Sequence, residues 1–128
     1  MIFIDTNVIM YAVGGEHPLR AEARSFLEGA LEEKARLVTS AEVLQELLHA
    51  YLPVRRTATL DAALTLVEAC VDEVWPVEGE DVWLARVLSE EHPSLGARDL
   101  VHLASCLRRD VTVIKTFDRG LAAASPDY

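Results

Sequence analysis

Four acidic residues lie near the ends of predicted helices and strands, and they are the residues best suited to chemistry. Asp5 follows the apolar run 2–4, and Asp118 follows a second apolar run. Glu46 lies at the margin of the apolar stripe of a helix, and Asp99 begins another helix. Each position alone also suits a helix cap, a turn or a solvated side chain. Four acids in comparable places favour a shared site.

A carboxylate cluster predicts a bound cation, because like charges raise one another's pKa when nothing neutralises them. Oxygen ligands favour Mg²⁺ or Mn²⁺ over zinc. Two such ions about 3.5–4 Å apart are the usual device for splitting phosphodiesters. Asn7 could hold a bound water or cap a helix, and Thr116 could bond a carboxylate or a water. Arg98 and Arg119 could steer phosphates toward the site.

The remaining motifs are weak. The four histidines show no metal-binding spacing, and no P-loop, G-x-G-x-x-G or G-x-S-x-G motif occurs. His102 lies one turn from Asp99 and could reach the rim of a site there, whereas His49 is predicted to be solvated. The histidines therefore do not indicate a site independently of the acids.

Predicted helices and strands alternate along the chain, and the strands are continuously apolar, as in a parallel sheet covered on both faces. In an open α/β sheet ligands bind outside the carboxyl ends of the strands, which is where Asp5 and Asp118 fall. Ser40 is predicted to cap the helix that follows it, and Pro76 weakens the third strand. The predicted strands span residues 2–5, 36–39, 73–77 and 111–114, the helices 18–30, 41–52, 57–71, 81–90 and 99–109, and residues 119–128 form a helical turn at most.

Composition predicts one globular domain over residues 1–128, with 51% hydrophobic residues and no repeat or linker. The net charge of −9 gives no support to a general nucleic-acid binder, although a metal can neutralise acids locally. Cys70 and Cys106 are predicted to be buried free thiols in a reducing compartment. With no secretory signal and no stretch long enough to span a bilayer, we expect a soluble, cytoplasmic protein.

The sequence resembles the PIN domain family over nearly its whole length. The resemblance rests on Ile4 to Asn7, Ser40 to Leu47, Arg98-Asp99 with His102 to Ala104, and Thr116 to Asp118. It implies a Rossmann-like sheet of four or five parallel strands flanked by helices on both faces. It also implies an Mg²⁺- or Mn²⁺-dependent ribonuclease of the VapC toxin type, which cleaves RNA, is silenced by a cognate antitoxin and commonly forms a homodimer.

Carried over by residue, the resemblance makes Asp5, Glu46, Asp99 and Asp118 the metal-binding catalytic acids, with Asn7 and Thr116 in support. Many family members continue into another short strand after the fourth acid, whereas here only residues 119–128 remain. The fifth strand is therefore expected to be very short or absent.

Four other functions remain open at this point. A receiver-like phosphoacceptor domain is also small, acidic and Mg²⁺-binding, but it needs an adjacent acid pair where this chain has one acid. A phosphatase of the haloacid dehalogenase type would need a second aspartate at position 7, where Asn7 stands. The chain could also be a PIN-fold RNA-processing nuclease that is not a toxin, or a PIN fold that only binds.

Overall fold

The computed structural model describes residues 1–125. It contains four strands and seven helices in an order that alternates for much of the chain. They are β1 (Ile2–Ile4), α1 (Thr6–Val13), α2 (Arg20–Glu32), β2 (Leu37–Ser40), α3 (Ala41–Tyr51), α4 (Thr57–Cys70), β3 (Glu73–Trp75), α5 (Gly79–Glu91), α6 (Ala97–Arg108), β4 (Val113–Lys115) and α7 (Arg119–Ala124).

The strands form one parallel sheet in the order β3-β2-β1-β4. Successive residues of a strand face opposite sides of a sheet, and the two sides bury different cores. Ile4 packs with α1, α2, α3 and α4 on one side, and Phe3 packs with α5, α6 and α7 on the other. The predicted parallel α/β sheet, flanked by helices on both faces, is confirmed.

The carboxyl ends of β1 and β4 lie side by side. Ile4 is in register with Lys115, and the amide of Asp5 donates to the carbonyl of Lys115 at 3.0 Å. The next residues on the two strands, Asp5 and Thr116, therefore leave the sheet together. This pairing places the polar residues of the two chain ends in one crevice.

The structure corrects several predicted boundaries. Residues 6–13 form α1, where no helix was predicted; with eight residues the segment is shorter than the windows in which helical periodicity is usually recognised. The predicted strand 111–114 is shifted, since β4 begins at Val113. Ser40 does precede α3, but its hydroxyl makes no capping bond and is buried without a partner among the described residues.

The edge of the sheet at β4 carries no fifth strand among residues 1–125. Beside this strand α7 forms instead. This helix is longer than the single helical turn that was expected for residues 119–128, of which residues 126–128 lie outside the described part. Ser125 follows α7; its hydroxyl accepts from the amide of Ile114 at 3.3 Å and donates to the carbonyl of Thr112 at 3.0 Å. The segment after α7 thus contacts the outer edge of the sheet through the Ser125 side chain.

A buried ion cluster joins α5 to α6. The Asp81 side chain is fully buried and accepts from Arg108 at 2.7 Å and from Arg109 at 3.0 Å. Asp81 also closes the capping box of α5 by accepting from the amide of Glu78. Arg109 lies 4.9 Å from the ring centroid of Trp75, so the cluster ties both helices to β3.

Cys70 and Cys106 are buried free thiols, as predicted. Within residues 1–125, no helix has the length and apolar character needed to cross a membrane.

Candidate metal centre and active site

Asp5 is held between two chain segments. It is the N-cap of α1, where its Oδ1 accepts from the amide of Thr6 at 2.7 Å. Its Oδ2 accepts from the Thr116 hydroxyl at 2.7 Å. Burial raises the pKa of Asp5, and the charge of His102 and these hydrogen bonds offset that rise only in part. Asp5 is therefore both the N-cap of α1 and a residue of the site, two roles that the sequence left as alternatives.

Thr116 connects Asp5 to the residues around it. While it donates to Asp5, its oxygen accepts from the amide of Asp118 at 3.0 Å and from Asn7 Nδ2 at 3.3 Å. The side-chain oxygen Oδ1 of Asn7 in turn accepts from the backbone amide of Phe117 at 3.1 Å. Asn7 and Thr116, both expected to support the acids, therefore lock the turn after β4 onto the start of α1.

Both carboxylate oxygens of Glu46 are hydrogen-bonded. Oε2 accepts from the Thr6 hydroxyl at 2.9 Å, and Oε1 lies 2.7 Å from His102 Nε2. Burial alone would raise the pKa of Glu46, but these bonds and the charge of His102 hold it below the ordinary value. Glu46 lies at the edge of the α3 stripe, as the helical spacing predicted, and its side chain is only 16% exposed.

His102 lies inside the site rather than at its rim. Its side chain is 0% exposed, and ligand atoms of Asp5, Glu46 and His102 lie within 4.8 Å of one another. Burial lowers the pKa of His102, but the bond to Glu46 and the charge of Asp5 raise it above the ordinary value. The signal available in the sequence was its spacing: His102 is one turn after Asp99, on the same side of α6. Thr6, whose contact with Glu46 was also missed, gave no such signal.

Asp99 and Asp118 reach the same pocket from two other elements. Asp99 is in the first turn of α6; burial, followed by the charges of Asp5 and Asp118, raises its pKa to about 6. Asp118 is the N-cap of α7, and its Oδ1 accepts from the amide of Leu121 at 3.0 Å. The cap proposed for Asp118 as the simpler explanation is real, and the residue still lines the pocket.

The pocket has a volume of about 260 Å³ and brings all four predicted acids together. Arg98 lines it, and the exposed His49 lies at its edge. Arg119 instead lines a neighbouring groove that shares Asp118 with the pocket. The full lining is Asp5, Thr6, Asn7, Met10, Glu46, His49, Ala50, Arg98, Asp99 and Asp118.

The donor set fits a hard divalent cation. Four carboxylates offer oxygen atoms, which Mg²⁺ and Mn²⁺ prefer. Burial raises the pKa of Asp99 to about 6, and the negative charges of Asp5 and Asp118 add to that rise, so a divalent cation here would offset accumulated negative charge. The acidic cluster can therefore bind a divalent metal.

Comparison with known proteins identifies the family. The family model described as the PIN domain matches residues 2–125 of the chain. The chain therefore belongs to the PIN domain family, which confirms the resemblance seen in the sequence and disfavours the receiver-like and phosphatase alternatives. PIN nucleases generally use divalent metals, in keeping with the acidic cluster.

Within the family the chain is similar to VapC proteins. It is 66% identical over 124 residues to Ribonuclease VapC23 of Mycobacterium tuberculosis, with 97% of this chain and 98% of that protein aligned. Its fold superposes on VapC20 of the same organism, described as a toxin that cleaves the sarcin-ricin loop, with a TM-score of 0.78, 20% identity and coverage of 97% and 95%. It also superposes on VapBC2 of Rickettsia felis, solved bound to a DNA fragment of its promoter, with a TM-score of 0.68, 15% identity and coverage of 92% and 100%.

Proposed function

We propose that the protein is an Mg²⁺- or Mn²⁺-dependent endoribonuclease and the toxin of a VapBC-type toxin–antitoxin pair. The observation that carries the proposal is the pocket in which Asp5, Glu46, Asp99 and Asp118 converge. The 66% identity to a protein named as a ribonuclease supports RNA as the substrate. The chain would act in the cytoplasm as one domain.

In this proposal the four acids hold the cation and the surrounding polar residues fix the acids. A bound divalent cation supplies an activated water and stabilises negative charge on the scissile phosphate. Thr116 and the Thr6 amide hold Asp5 through both its oxygens, which keeps the carboxylate in one orientation. Arg98, at the pocket wall, is placed to bind an RNA phosphate, with Arg119 in the adjoining groove available for a neighbouring one.

The antitoxin partner is supported by the superposition on VapBC2 and by a second surface feature. An open groove of about 720 Å³ lies between α2 and α4, away from the acidic pocket. Its lining is mainly apolar, and a helix of a partner protein could bury an apolar face there. Its lining includes Ala12, Val13, Leu27, Leu31, Ala62, Leu66, Ala69 and Cys70. We further propose that the toxin forms a homodimer, as other family members do.

RNA cleavage tests the enzymatic part. Purified protein incubated with RNA should cleave it in the presence of Mn²⁺ or Mg²⁺ and lose activity with EDTA. Asp5→Asn should abolish cleavage while the circular dichroism spectrum stays unchanged. Asp61→Asn is the matched control, because Asp61 is an exposed aspartate on α4. Intact RNA with the parent protein, or equal cleavage by Asp5→Asn, contradicts the proposal.

Expression in cells tests the toxin part. A VapC-type toxin should arrest growth when expressed alone, and growth should recover when the product of the neighbouring small gene is co-expressed. Leu66→Glu, which places a charge in the α2–α4 groove, should weaken that rescue without reducing RNA cleavage. Cleavage without growth arrest would favour the RNA-processing nuclease that is not a toxin.

A further inference from the structure

We propose that His102 is a positioning residue of this site: its Nε2–H holds the Glu46 carboxylate in the orientation needed to bind the divalent cation. The inference rests on the proposed function, since it assigns to His102 a task within that metal site. The proposed function concerns the four acids, whereas this inference concerns the buried nitrogen donor that is hydrogen-bonded to one of them.

The contacts of His102 determine where its proton is. Nε2 lies 2.7 Å from Glu46 Oε1 and 3.6 Å from Asp5 Oδ1. An ionised carboxylate can only accept a hydrogen bond, so Nε2 must carry the hydrogen. His102 therefore acts as a donor toward the acids in the metal-free protein.

The imidazole ring of His102 is held in place by aromatic side chains. Its centroid lies 5.3 Å from that of Phe3 at a tilt of 45°, and Phe3 stacks on Trp75 with centroids 5.8 Å apart. Since the ring is fully buried, these neighbours prevent it from following the carboxylate if Glu46 moves. A donor held in this way fixes the position of its acceptor.

The other ring nitrogen indicates that packing alone does not explain a histidine here. Nδ1 is buried and has no hydrogen-bond partner among residues 1–125. A buried polar atom without a partner is unfavourable, and an apolar side chain of similar size would avoid it. The hydrogen bond from Nε2 to Glu46 is therefore what a histidine contributes at this position and an apolar residue could not.

The consequence for Glu46 is a carboxylate anchored at both oxygens. Thr6 holds Oε2 from α1, and His102 holds Oε1 from α6. Each carboxylate oxygen keeps a further lone pair that can bind a cation. Groups of this kind, which orient metal ligands, typically contribute on the order of 10- to 100-fold in metal affinity or activity.

The test compares His102→Gln, whose amide can still donate to Glu46, with His102→Met, which has similar bulk and no donor. Mn²⁺ affinity is measured by isothermal titration calorimetry, and RNA cleavage is resolved into kcat and KM. His102→Met should bind Mn²⁺ on the order of 10- to 100-fold more weakly and lose kcat, with KM for RNA little changed. His102→Gln should recover most of both. His92→Gln, at the C-cap of α5 and outside the lining of the pocket, is the control and should match the parent.

The outcomes separate this inference from the proposed function. If the parent neither binds Mn²⁺ nor cleaves RNA, the proposed function fails. If the parent does both and His102→Met does so equally well, or if folded His102→Gln is as defective as His102→Met, the role of His102 is wrong. Should His102→Met not fold, His102→Asn decides, because its amide is too short to reach Glu46: weaker Mn²⁺ binding supports the role and parental binding overturns it.

Discussion

Replacing Asp99 with Asn should stabilise the metal-free protein while destroying its response to metal. Asp99 is partly buried beside Asp5 and Asp118, and these surroundings raise its pKa to about 6 from the ordinary 3.8. In the unfolded chain the carboxylate ionises without these neighbours. The folded protein therefore loses stability whenever Asp99 is ionised, and Asn removes that loss while keeping the shape of the side chain.

The size of the effect follows from the pKa of Asp99. A rise from 3.8 to about 6 corresponds to about 3 kcal/mol when the group is fully ionised in both states. Because Asp99 is partly exposed, solvent screens these charges, and we expect roughly 1–1.5 kcal/mol. In a domain of this size that gain should raise Tm by about 4–6 °C.

The pH dependence has a definite sign. Well below pH 3.8 Asp99 is protonated in both the folded and the unfolded state, so the parent and Asp99→Asn differ little. Between about pH 4 and 6 the unfolded state ionises first, and the stability of the parent falls as pH rises. The loss is complete only well above about pH 6, so the variant should show its full advantage at about pH 7.5 and near half of it at about pH 5.

Urea unfolding followed by circular dichroism, in EDTA at these two pH values, measures the difference. Asp61→Asn again controls for an exposed aspartate. Added Mn²⁺ should then stabilise the parent but not Asp99→Asn, because a ligand that binds the native state alone raises its stability. An Asp99→Asn protein no more stable than the parent in EDTA at about pH 7.5, or equally favoured at about pH 5, would refute the electrostatic reasoning.

Three further substitutions test other contacts. Thr116→Val removes the hydroxyl that holds Asp5 and should cost about 1–2 kcal/mol in urea unfolding and reduce cleavage, unlike Thr65→Val on the exposed face of α4. Asp81→Asn keeps the capping bond but leaves two arginines without their buried partner, and should cost about 2–3 kcal/mol by the same assay, away from the active site. Arg98→Gln should raise KM for RNA with little change in kcat and lower the slope of affinity against salt by about one, measured by RNA binding at several salt concentrations.

The sequence predicted most of what depends on local pattern. Apolar runs gave the parallel strands, and the helical stripe of α3 placed Glu46 at its margin. Asp5 follows β1 and Asp118 follows β4, and their place at the same edge of the sheet followed from the rule that parallel strands present their carboxyl ends at one edge. These features rest on periodicity and on chain direction, which are visible in a single sequence.

Contacts between distant segments could not be predicted in the same way. His102 was placed at the rim because helical spacing gives the direction of a side chain but not the depth at which its helix packs. The bond from Thr6 to Glu46 joins α1 to α3, and α1 itself was missed because eight residues are too few for periodicity to identify a helix. The polar network around Asp5 is formed by tertiary packing.

The hydroxyl of Ser125 has a consequence for how the molecule behaves among copies of itself. An edge strand with open amides and carbonyls is a template onto which another chain can add a strand, leading to aggregation or domain swapping. Ser125 occupies the amide of Ile114 in β4 and the carbonyl of Thr112 just before that strand, on the outer edge of the sheet formed by residues 1–125. A chain that added a strand along this edge would first have to displace the Ser125 hydroxyl from both groups.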